Sequence, residues 1–99
     1  MNTTELLIKA RSILKNGGLH KGQYRQKRAG RHVAHCTIGA CHAAAKGRFD
    51  AGPVYTALQE CLPSGYSRIT TYNDSPSTTK KDILNLFDRA IAISKETLA

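Results

Sequence analysis

The sequence predicts a mainly α-helical domain of four helices, carrying an extended basic arm and leaving room for one short strand pair. Three observations lead to that class. Apolar residues recur at three- and four-residue spacing in four separate segments. Glycines and prolines separate those segments, at Gly17-Gly18, Gly47, and Pro63 with Gly65. Only residues 66–72, YSRITTY, are dominated by β-branched and aromatic side chains. With 99 residues, the chain has the size of a single domain, 1–99, too short for two independent cores. Trp is absent and aromatics make up 6%, so the core has to be aliphatic and alanine-rich.

The first helix is expected over residues 3–16. Asn2 and Glu5 have capping-box spacing, Leu6, Ala10, Ile13 and Leu14 share a face, and Gly17-Gly18 stops it. Residues 19–34 show neither helical nor strand period and are expected to run as an extended arm. From about Val33 the composition turns small and apolar, predicting a second helix closed by Gly47. Its Gly39, Ala40, Ala43 and Ala44 would let another helix approach closely, and they leave room for self-association. A third helix follows Pro53, with Val54, Ala57, Leu58 and Cys61 on one face. Residues 66–72 are expected to be extended and to pair with the arm. The last helix, 79–97, is capped by Ser77, Thr78 or a Thr79–Asp82 box. It presents Ile83, Phe87, Ala90, Ile91, Ser94 and Leu98 inward, with Asp88 and Arg89 directed to solvent.

Charge is the informative property. Fifteen Lys and Arg against seven Asp and Glu give +8. Residues 1–49 hold ten of those basic side chains and one acid, and no carboxylate lies between Glu5 and Asp50. The remaining half holds five basic and six acidic side chains. A field this one-sided favours polyanions. Lys21, Arg25, Lys27, Arg28 and Arg31 can track a phosphate backbone, with His32 flanking them and Tyr24 available to stack on a base. A solvated loop that keeps the protein soluble is the alternative.

The three cysteines are an odd number, which argues against a disulfide framework and for free thiols in a reducing cytoplasm. The longest early apolar run is Leu6-Leu7-Ile8, too short for a signal peptide core or a membrane span. His32, His35, Cys36, Cys41 and His42 are zinc-type ligands, but H-x-x-H-C-x-x-x-x-C-H matches no common finger. Buried thiols packed as small core residues explain Cys36 and Cys41 better, so neither a metal nor a cofactor is expected. Cys36 or Cys41, a histidine, and Asn73 or Asp74 would make a triad only if folding united them. Asn73 and Asp74 fit a backbone-bonded turn that sets the entry to the last helix.

The pattern Cys36-x-x-Gly39-Ala40, then Ala43 and Ala44, then Tyr72-Asn73-Asp74-x-Pro76-x-Thr78, then Asp82, Phe87, Asp88 and Ala90-Ile91, resembles a known family. That family is one of small uncharacterised proteins from actinobacteria and their phages. The resemblance implies a leading helix, a glycine-containing linker, a Cys-x-x-Gly-Ala helix and an aromatic-Asn-Asp turn. It gives Cys36, Gly39, Ala40, Tyr72, Asn73 and Asp74 structural roles. Tyr72 stands where the family has Trp, and this arm is far more basic than the often acidic linker of relatives. The resemblance also implies a bacterial or phage origin, with the host cytoplasm as location if phage-encoded. The expected function is non-enzymatic binding of nucleic acid or a nucleoprotein complex through the arm, with no membrane partner. The alternative is an inhibitor or modulator of an acidic host protein, serving host takeover or anti-defence. A metal protein or enzyme is the third and weakest reading.

Overall fold

The computed structural model describes residues 2–19, 25–26, 34–46 and 52–98, with backbone alone for 25–26, 34–35 and 97–98. Helix α1, Thr3–Gly17, starts where the sequence says it should. The Glu5 N–H donates to Asn2 Oδ1 at 2.9 Å, and the Asn2 N–H donates to Glu5 Oε1 at 3.2 Å. This reciprocal box satisfies two of the donors that a helix start leaves orphaned. The helix stops at Gly18, whose φ of 91° is one that side chains with a Cβ avoid. Leu6, Leu7, Ala10 and Leu14 are buried along one face.

Helix α2, Thr37–Ala45, lies against α1 through its small-residue face. Gly39, Ala40 and Ala44 are buried there, so the expected close approach of a second helix is realised. Its boundaries differ from the expectation. It starts at Thr37, because Ala34–His35 are extended and Cys36 caps the first turn. Lys46, with φ of 51°, takes the left-handed position at its end, one residue before the expected glycine stop. A second correction concerns the strand pair. Strand β1 (Arg25–Gln26) pairs antiparallel with β2 (Ala34–His35), Arg25 opposite His35 and Gln26 opposite Ala34. Both partners belong to the 19–35 stretch, and residues 66–72 take no part.

Helix α3, Gly52–Glu60, buries Val54 and Leu58, with Cys61 following in the next turn. The main correction comes next: residues 66–72 do not form a strand. Ile69–Asp74 form a short helix, α4, so the described residues contain five helices and not four. Ile69, Tyr72 and Asn73 recur at i, i+3 and i+4, and all three are buried. Tertiary burial of that stripe overrides the β-preference of Ile, Thr and Tyr, which amounts to about 1 kcal/mol per residue at most. Tyr72 packs edge-on to Tyr66 at 4.9 Å between ring centroids, and the Tyr66 hydroxyl donates to Ser75 Oγ at 3.0 Å.

Helix α5, Lys80–Leu98, is capped by Thr79 and not by Ser77 or Thr78. The Thr79 N–H donates to Asp82 Oδ2 at 2.8 Å, and the Asp82 N–H donates to Thr79 Oγ1 at 3.2 Å. Ile83, Leu86, Phe87 and Ala90 are buried in the shared core, where α5 packs on α1 and α3. The helices α1 and α5 run antiparallel. Thr4 Oγ1 and Ser94 Oγ lie 2.7 Å apart at one end, and Lys80 Nζ donates to the Lys15 carbonyl at 2.7 Å at the other. Asp88 and Arg89 are exposed, as expected, and Asp88 also joins the seam, with Arg11 Nε 2.8 Å from its Oδ1. Arg89 is likewise engaged, donating to the Cys61 carbonyl at 3.4 Å. Among the described residues, no helix is long and apolar enough to cross a membrane.

Candidate functional site

Two regions hold the residues that the sequence marks out: the junction of α2 with α4, and the basic arm. The junction is built from the start of α2. Cys36 is its N-cap, and Cys36 Sγ accepts the Gly39 N–H at 3.2 Å. That bond gives the Cys-x-x-Gly spacing a physical reason, since the cap reaches the N3 donor. One residue on, Thr37 donates twice to Asn73 Oδ1, from its N–H at 2.8 Å and from its hydroxyl at 2.7 Å. Asn73 Nδ2 in turn donates to Asp74 Oδ1 at 2.9 Å. Thr37 and Asn73 are both buried where α4 packs on α2, and the polar chain opens to solvent at Asp74, which is exposed.

Asn73 reaches well beyond the turn before the last helix. It sits inside α4 and bonds across 36 residues of sequence to the first residue of α2. Thr37 is a member of this junction that sequence reasoning misses. The available signal is a threonine directly after the residue that opens a small-residue helix, where a hydroxyl commonly serves the first turn. Cys36, Gly39, Ala40, Tyr72, Asn73 and Asp74 all lie in or beside this junction.

Folding does bring Cys36 near Asp74, but not as an activated nucleophile. Burial pushes the Cys36 thiol above its ordinary value, and the Asp74 charge adds to that, outweighing the Gly39 N–H that lowers it. Cys41 lies deeper, and burial raises it from 9.0 to about 12. Burial likewise raises Cys61. Burial favours the protonated form of these thiols, and a thiol nucleophile acts as the thiolate. All three cysteines are free. His42, exposed at the end of α2, meets Tyr55 edge-on with 6.0 Å between ring centroids. Among the described residues, no group of three or more His, Cys, Asp or Glu side chains is placed to hold a metal.

The arm's candidates are Lys21, Tyr24, Arg25, Lys27, Arg28, Arg31 and His32. All but Arg25 lie outside the described residues, and of Arg25 only the backbone, in β1, is described. The described flanks fix where the arm begins and ends. Leu19, just past the Gly18 cap, packs against the core, and β2 lies against α1 and runs directly into the Cys36 cap. The β1–β2 register also ties the two ends of the 27–33 connection to one another.

Comparison with curated proteins and with solved structures returns no match. Comparison with family models returns one, described as a family of unknown function, DUF6197, across residues 1–93. With that match over nearly its whole length, the chain belongs to this family of unknown function, DUF6197.

Proposed function

We propose that this protein is a non-enzymatic binding protein that engages nucleic acid, or a nucleoprotein complex, through its basic arm. The observation that carries the reading is the charge segregation. Every cation from Lys9 to Arg48 lies in a stretch without a single carboxylate. In five of them, Lys21, Arg25, Lys27, Arg28 and Arg31, cationic density peaks beside Tyr24 and His32. Phosphates would be met by these cations at the gain of released counterions. The protonated, capped and packed state of the Cys36 region supports a binding role over a catalytic one. The resemblance to small proteins of actinobacteria and their phages suggests a bacterial cytoplasm, or that of a phage host, as the setting.

Capture from bacterial lysate on the immobilised protein, with and without nuclease, tests this reading. Nucleic acid should be recovered from untreated lysate, and nuclease should release most associated material. A single acidic protein retained after nuclease treatment, with no nucleic acid recovered, would establish the rival: a modulator of a host protein.

A further inference from the structure

Away from the α2–α4 junction, the antiparallel seam of α1 and α5 ends in a cluster of lysines. Lys80 Nζ donates to the main-chain carbonyl of Lys15 at 2.7 Å, which holds the Lys80 ammonium at the C-terminal end of α1. A cation is favoured there by the helix dipole. Lys15, Lys80 and Lys81 are all exposed. Among the described residues, neither Lys15 nor Lys81 has a carboxylate partner. The neighbouring acids are already engaged: Asp88 pairs with Arg11, and Asp82 is turned back onto the Thr79 N–H. Three lysines thus stand at this end of the helix pair against one nearby carboxylate, that of Asp82, which leaves a local excess of positive charge. An ammonium carries three donors, so Lys80 keeps two after its bond to the carbonyl.

In sequence, the same end of α1 leads towards the cations of residues 21–31. Lys21 follows Lys15 by six residues, so whatever path the chain takes, their Cα atoms are no more than roughly 20 Å apart. That distance equals about six phosphate steps along one strand of duplex DNA.

We infer that Lys15, Lys80 and Lys81 form a rigid phosphate-binding platform that continues the arm's grip along the backbone of duplex DNA. The inference rests on the polyanion-binding reading above and adds to it a fixed surface on the helical body. The arm would supply reach and the platform would supply register, because phosphate contacts from rigid elements position a protein on its duplex.

Replacing all three as K15Q/K80Q/K81Q, and separately as K15R/K80R/K81R, tests it with a short mixed-sequence DNA duplex over a range of salt. The glutamine variant should bind more weakly by at least tenfold at low salt. Its slope of log K against log salt should be shallower by about 2–3, at about 0.9 for each phosphate no longer neutralised. The arginine variant should keep the parental slope. Unchanged melting temperatures would exclude a folding defect as the cause. If the unaltered chain binds the duplex and the glutamine variant shows the same slope, the platform is refuted while the arm reading stands. If the unaltered chain binds no duplex, the parent reading falls and the platform with it.

Discussion

Removing four arm charges together, as R25Q/K27Q/R28Q/R31Q, is expected to weaken nucleic-acid binding about a thousandfold near 0.1 M salt. Each neutralised phosphate releases close to one counterion, worth up to about eightfold at that concentration, so a loss of roughly five- to sixfold per contact over four contacts gives this size. The loss should be nearly the same for every DNA or RNA sequence tested, because phosphates carry no base identity. The variant is expected to fold, because glutamine keeps a long polar side chain at each of the four positions. A binding assay at fixed salt, paired with thermal unfolding, checks both statements. Retained affinity in a folded variant would remove the arm from the interface.

The second large effect falls on the fold. Asn73→Ala should lower the unfolding free energy by about 3 kcal/mol, because two buried donors lose their acceptor at once. Those donors are the Thr37 N–H and the Thr37 hydroxyl, at 2.8 and 2.7 Å from Asn73 Oδ1, and Thr37 is 0% exposed. In a domain of about 100 residues, a loss of that size lowers the melting temperature by roughly 10–25 °C. Asn73→Asp keeps an acceptor but loses the donor to Asp74 Oδ1 and sets a second carboxylate beside it, so it too should destabilise. Urea unfolding measures the loss. The same Asn73→Ala change made in a Thr37→Val background should cost clearly less, because the hydroxyl is no longer stranded. Equal costs in both backgrounds would show that the bond between the two side chains contributes nothing.

Where the chain carries its own punctuation, its structure can be read directly. The boxes Asn2–Glu5 and Thr79–Asp82 both place a side chain on an orphaned N–H three residues away, and α1 and α5 begin where those boxes stand. The small-residue face of α2 is legible for a similar reason, since alanine and glycine leave a helix few roles besides close packing. Elements specified by distant partners are not legible. Helix α4 has only six residues and a strand-like composition, and it forms because Ile69, Tyr72 and Asn73 find burial against other helices. The cap on α2 is hidden because its acceptor is a thiol, an unusual capping group, and because Thr37 finds its partner in α4. Of the candidate interface, the arm's charge is legible, but not the lysine platform beside it. Lys15 and Lys80 are 65 residues apart in sequence and meet only once α1 and α5 align.

Binding of the unaltered protein to a mixed-sequence DNA duplex, titrated in salt, tests the central claim most directly. Five arm cations alone should give a slope of log K against log salt of about −4 or steeper, at about 0.9 per phosphate. Undetectable binding at low salt, or an affinity that does not change with salt, would contradict the claim that this chain works by engaging a polyanion.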